Sequence, residues 1–132
     1  MRGTLVKEYK ILSRLSHMNV IEVKEFIQTE DSLVLELCGI KLADKTVVDV
    51  KEWAMNIAKK TTKTQLNVME QVVRGLFYLH ENDVIHCDLK SSNCLVKENM
   101  DDPTVKVADF GVAYFQTVTH IETLNSQGCN GN

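Results

Sequence analysis

Two short stretches carry side chains that could do chemistry together: His86-Cys87-Asp88-Leu89-Lys90-Ser91-Ser92-Asn93 and, further along, Asp109-Phe110-Gly111. Between them they supply two carboxylates, an ammonium and an amide. Carboxylate and amide oxygens are what hard cations such as magnesium take as ligands, usually sharing them with substrate phosphates. Gly111 frees the backbone after Asp109 for conformations closed to other residues. Taken singly, an Asp, Lys or Asn in a loop is an ordinary solvated turn residue. Two ordered stretches with fixed internal spacing are a poor match to chance.

These residues resemble the catalytic loop and metal-binding triplet of the eukaryotic protein kinases, whose pattern reads H-R-D-L-K-x-x-N and then D-F-G. The resemblance implies transfer of the ATP γ-phosphate to a protein hydroxyl, a reaction in which the enzyme mainly positions phosphates and neutralises their charge. It further implies that Asp88 accepts or orients the substrate hydroxyl and that Lys90 offers a cation to the γ-phosphate. Asn93 and Asp109 would hold Mg2+. Lys90 after Leu89 favours a Ser/Thr or tyrosine-kinase-like type over a true tyrosine kinase.

Elements must exist to place these groups. Residues 4–16 put Leu5, Tyr9, Leu12 and Leu15 on one helical stripe, with Ile11 alongside, which predicts an amphipathic helix. It resembles the family's αC helix, and Glu8 falls where that helix carries the glutamate that pairs with an ATP-contacting lysine. A solvated acid near a helix N-terminus explains Glu8 as well. Residues 20–27 and 32–37 are short β-branched or apolar runs joined by the polar turn 28–31, which predicts a hairpin like the family's strands 4 and 5. By resemblance Leu35 is the gatekeeper behind the nucleotide base, and Glu36 and Cys38 are hinge residues that contact adenine through main-chain atoms. An ordinary strand end accounts for all three equally.

Val50, Trp53, Ala54 and Ile57 sit at helical spacing, as in a short αD helix, with Trp53 a packing residue. Over residues 64–80 the positions Leu66, Met69, Val72, Val73, Leu76, Phe77 and Leu79 form a strong helical stripe, as in the αE helix that precedes a kinase catalytic loop. Residues 94–96 and 105–108 then predict two short strands that deliver Asn93 and Asp109. Leu95 resembles the residue beneath the adenine. Leu12, Val23, His86 and Phe110 correspond to the apolar spine that links the two lobes. The expected architecture is α+β, a partial bilobal kinase fold: αC, strands 4 and 5, hinge, αD, αE, catalytic loop and activation segment. Residues 1–37 would be a small-lobe remnant and residues 38–132 the hinge and first part of the large lobe.

The chain has 132 residues, 44% apolar and 25% charged, which fits one ordinary globular domain. A net charge of -3 argues against a nucleic-acid or membrane-surface binder, both of which need clustered positive charge. No apolar run is long enough for a signal peptide or a membrane span, so a cytoplasmic or nuclear location is expected. Cys38, Cys87, Cys94 and Cys129 form no C-x-x-C pair and read as free thiols.

Three departures from the family pattern qualify the resemblance. Only seven residues precede Glu8, and no G-x-G-x-x-G occurs, so the phosphate-covering loop and the lysine strand have no counterpart. Lys7 points away from Glu8, being its neighbour on a helix, and Lys24 is a remote stand-in. Residues 117–132 resemble an activation loop, and the sequence stops where A-P-E should follow. A weakly stable chain that depends on a complementing polypeptide or a kinase partner is the expectation. Cys87 stands where the family usually has arginine, the non-RD pattern, and a thiol cannot replace a guanidinium fork on a phosphorylated loop. The rival readings are a pseudokinase-like regulatory or binding fragment and a non-functional truncated product.

Overall fold

The structure is a computed structural model and describes residues 2–38, 48–56, 61–97 and 102–116. Ile57 lies outside the described residues, as do the stretch 117–132 and the fourth cysteine.

Helix α1 (Arg2–Leu12) buries Ile11 and Leu12 as expected, but it stops three residues before Leu15, the last apolar residue of the stripe. Arg14 and Leu15 donate to the carbonyls of Ile11 and Leu12, three residues back, at 3.2 and 3.1 Å. The last turn therefore tightens, and Leu15 still reaches the core from outside the helix. Strands β1 (Val23–Ile27) and β2 (Ser32–Leu35) form the antiparallel hairpin, with Phe26 opposite Leu33 and Asp31 at φ 48° in the turn. Residues 20 and 21 do not belong to that strand. Val20 bridges Val107 in parallel, with Ile21 N donating to Val107 O at 2.9 Å and Val107 N to Asn19 O at 2.8 Å.

The second half is built on the antiparallel sheet β3-β5-β6: β3 (Val48–Asp49), β5 (Cys94–Lys97) and β6 (Thr104–Val107). Helix α2 (Val50–Asn56) follows β3 and packs Trp53 into the core at 2% exposure. Helix α3 (Thr62–Glu81) starts at Thr61, whose hydroxyl accepts the Thr64 N–H at 3.1 Å, a standard cap. Its buried face is Val68, Gln71, Gly75 and Leu79, with Val72 and Leu76 partly covered. The other half of the expected stripe faces outward: Leu66, Met69, Val73 and Phe77 are 60%, 64%, 61% and 66% exposed. Apolar periodicity marks a helix but does not say which apolar edge the neighbouring sheet covers.

One buried polar network ties the two halves. Asn19 Nδ2 donates to Gln71 Oε1 at 3.0 Å and to Val105 O at 2.9 Å. Gln71 also accepts from Val105 N at 2.8 Å and donates to Pro103 O at 2.8 Å. Helix α3, the loop after α1 and strand β6 are thereby fixed to one another by groups that would be expensive to leave unpaired.

Candidate active site

The short strands β4 (Val84–Ile85) and β7 (Tyr114–Phe115) pair with each other and close the segment that carries both chemical stretches. Within it the β5–β6 register sets the geometry. Cys94 faces Val107, so the preceding Asn93 must lie beside Ala108, and Ala108 N donates to Asn93 O at 2.8 Å. Asp109 is the next residue. Pairing in an antiparallel ladder has thus brought residues sixteen apart in sequence to adjacent places.

Asp88 is held from several directions. Its N–H donates to His86 Nδ1 at 3.1 Å. Asn93 Nδ2 donates to Asp88 O at 2.9 Å and to Asp88 Oδ2 at 3.1 Å. Lys90 Nζ lies 3.7 Å from Asp88 Oδ1 and is half exposed. His86 is 2% exposed, and its Nε2 is 2.8 Å from Ala108 O. That carbonyl only accepts, so Nε2 carries the hydrogen while Nδ1 accepts from Asp88. The imidazole therefore links Asp88 to the residue before Asp109. Asn93 is 8% exposed, and with its Nδ2 directed at Asp88 the amide oxygen is the atom left for another ligand.

Asp109 is exposed and sits at φ 58°; Cys87 sits at φ 69°. Positive φ is uncommon outside glycine and is tolerated best by Asp and Asn. Both strained positions flank the groups that could do chemistry. Gly111 N donates to Asp109 Oδ1 at a long 3.3 Å, which leaves that carboxylate loosely held. Asp109 and the Asn93 amide are oxygen donors, suited in kind to Mg2+.

Phe110 is 1% exposed, edge-on to His86 with centroids 5.0 Å apart at 71°. Leu12 lies in the same buried cluster, and Val23 packs at its margin. Leu35 faces Val23 in the β1–β2 register and Leu95 faces Lys106 in β5–β6; both are partly buried against the core.

Glu8 is neither a solvated acid nor a residue of the first helical turn. It lies in the second turn of α1, half-buried, and its Oε1 accepts the Phe110 N–H at 3.4 Å. Burial raises its carboxyl above the usual range, the Phe110 N–H opposes this, and the nearby Asp109 charge adds to it. Among the described residues no lysine pairs with Glu8: Lys7 is exposed, and Lys24 lies 3.1 Å from Glu22. The Glu36 side chain, for which the sequence suggested only main-chain contacts, is buried between Lys97 at 3.0 Å and Lys106 at 3.3 Å. The spacing of three residues types along three segments gave no sign of this cluster. The Asn19 and Gln71 network had one available signal, an amide at an apolar position of the α3 stripe.

Cys38 and Cys94 are free and buried, and burial pushes each thiol up to about 11. Cys87 is held in a disulfide, which corrects the reading of the cysteines as free thiols. Pairing depends on which sulfurs the fold brings within about 2 Å, and spacing along the chain does not report that.

A sequence model of the protein kinase domain matches residues 1–127. The mouse calcium/calmodulin-dependent protein kinase type IV is 38% identical over 109 residues, 80% of this chain and 22% of that protein. The serine/threonine-protein kinase TOS3 of Saccharomyces cerevisiae is 35% identical over 130 residues, 92% of this chain and 22% of that protein. The serine/threonine-protein kinase dkf-2 of Caenorhabditis briggsae is 30% identical over 106 residues, 80% of this chain and 9% of that protein. The chain therefore spans less than a quarter of the length of each of these three relatives. With the loop around Asp88, the Asp109 triplet and the domain match in agreement, the chain belongs to the protein kinase family, with serine/threonine kinases among its relatives.

Proposed function

We propose that this chain supplies the catalytic loop of a protein serine/threonine kinase that transfers the γ-phosphate of ATP to a hydroxyl of a protein substrate. Membership of the family implies ATP, typically with magnesium, and a protein substrate. The observation that carries the reading is the fixing of Asp88 by His86 and by the Asn93 amide, with Lys90 alongside.

In this reading Asp88 accepts the proton of the substrate hydroxyl, and Asn93 keeps its carboxylate aimed. Lys90, loosely paired and half exposed, is free to swing onto a phosphate. Asn93 and Asp109 hold Mg2+, which when bound neutralises phosphate charge. Leu35, Leu95 and the main chain of Glu36 and Cys38 surround the adenine. Leu12, Val23, His86 and Phe110 keep the two lobes in register.

The test is phosphoryl transfer from labelled Mg-ATP to a generic serine- and threonine-containing protein. Asp88→Asn should lower the rate about a hundredfold or more, the usual contribution of a positioned base. No transfer by the unmodified chain, or an unaffected Asp88→Asn variant, ends the enzymatic reading. One observation favours a second reading, a pseudokinase-like binding module: Glu8 accepts from Phe110 and meets no lysine among the described residues. A thermal shift with Mg-ATP in the absence of transfer would support that alternative.

A further inference from the structure

The Glu36 carboxylate is 7% exposed, and both of its oxygens are engaged. Oε2 lies 3.0 Å from Lys97 Nζ. Oε1 lies 3.3 Å from Lys106 Nζ and accepts the Glu22 N–H at 2.9 Å. The Glu36 N–H in turn donates to Glu22 O at 2.9 Å, so residue 22 is held by backbone and side chain together. Burial alone would raise this carboxyl, but Lys97, the Glu22 N–H and Lys106 outweigh it and keep the group below the usual carboxylate range. Lys106 is 12% exposed and Lys97 33%. An exposed ion pair contributes little. A carboxylate that is itself buried and shared by two ammonium groups is different, because its removal takes the same counter-charge from both.

The lysines come from one face of one hairpin. Lys106 is the register partner of Leu95, and Lys97 follows Leu95 by two residues, where a strand returns to the same side. The intervening Val96 and Val105 point into the core at 0% exposure. Glu36 thus joins three parts: the lead-in to β1, the segment after β2, and the face of β5–β6 that carries Leu95.

We propose that the Glu36 carboxylate is a positioning residue for the nucleotide base: by gripping Lys97 and Lys106 it fixes the main chain of residues 36–38 against Leu95. The proposal takes its ligand, an adenine nucleotide, from the function proposed above. The clamp itself rests on the ion pairs alone.

Cys38 supplies a probe that needs no nucleotide. It is 2% exposed, and burial first, then the Glu36 charge, push its thiol up to about 11. The experiment is site-resolved alkylation of the full chain by a neutral thiol reagent, with the buried Cys94 as internal reference. Glu36→Gln should speed Cys38 labelling about tenfold, the effect of losing one charge-assisted contact. Lys106→Gln separates release of the clamp from simple electrostatics. Taking a positive charge from near Cys38 should slow labelling if charge alone matters, and the proposal expects it to be faster. Unchanged or slower Cys38 labelling in Lys106→Gln overturns the proposal, and so does equal acceleration at Cys94.

The second readout compares Mg-ATP with Mg-tripolyphosphate, which has the phosphates and no base. Glu36→Gln should weaken Mg-ATP about tenfold and leave tripolyphosphate unchanged. Equal weakening of both overturns the role in placing the base. If the unmodified chain binds neither, the kinase reading fails, and the clamp is then decided by Cys38 labelling.

Discussion

Asp88 and Glu8 show how differently two carboxylates of one site depend on their surroundings. Asp88 receives the Asn93 amide at both its main-chain and side-chain oxygens, so Asn93→Ala removes two partly buried contacts at once. We expect that variant to lose about 2 kcal/mol of stability, measured by urea unfolding, because each hydrogen bond lost contributes about 1 kcal/mol. Glu8 is the opposite case, since its folded state favours the protonated form. A raised carboxyl contributes stability that is complete below the ordinary pKa and is lost as pH rises through the folded value. Glu8→Gln keeps an oxygen for the Phe110 N–H and drops the charge near Asp109. Its melting temperature should exceed that of the unmodified chain at pH 7, and the gap should close below about pH 4, where Glu8 is itself protonated. A gap that persists in acid would sink the assignment. Glu36, with its carboxyl lowered, should behave in reverse: the stability it contributes is present at neutral pH and fades as pH falls through its folded value.

At the scale of elements, α3 carries information that its apolar periodicity hides. Gly75 faces the loop after α1, and a Cβ there would lie 2.7 Å from Asn19 O and 3.0 Å from Val107 Cγ2. Alanine at a helix interior normally gains about 1 kcal/mol over glycine. Here the backbone oxygen cannot yield without breaking the Val107–Asn19 hydrogen bond, so Gly75→Ala should instead destabilise by about 1–3 kcal/mol. A higher melting temperature for that variant would falsify the close approach. Gln71→Leu tests the neighbouring turn. It fills similar volume but strips the acceptor from Val105 N and the donor from Pro103 O, and should cost about 2 kcal/mol or more. The hairpin and α3 were legible in the sequence because period-2 and period-3.6 patterns reflect burial directly. Strands β3, β4 and β7, two residues each, were not, since pairs that short carry no period of their own.

On the whole molecule, the outward row Leu66, Met69, Val73 and Phe77 along α3 is a contiguous apolar strip of the kind that drives association. Replacing Met69 and Phe77 by lysine should reduce concentration-dependent self-association in analytical ultracentrifugation without lowering the melting temperature, because neither side chain supports the core. A loss of stability would show instead that the strip is covered. The residue types of the catalytic loop, the order of the two chemical stretches and the identity of the family were determined by the sequence alone, because residue types at fixed local spacing are a property of the chain. The tertiary structure decided the rest: that the β5–β6 register sets Asn93 beside Ala108, that Glu8 meets the Phe110 N–H, that α3 buries its Gln71 edge, and that Glu36 lies between Lys97 and Lys106. Each of these joins groups far apart in sequence. Local pattern specifies which face of an element is apolar, but only packing specifies what that face meets.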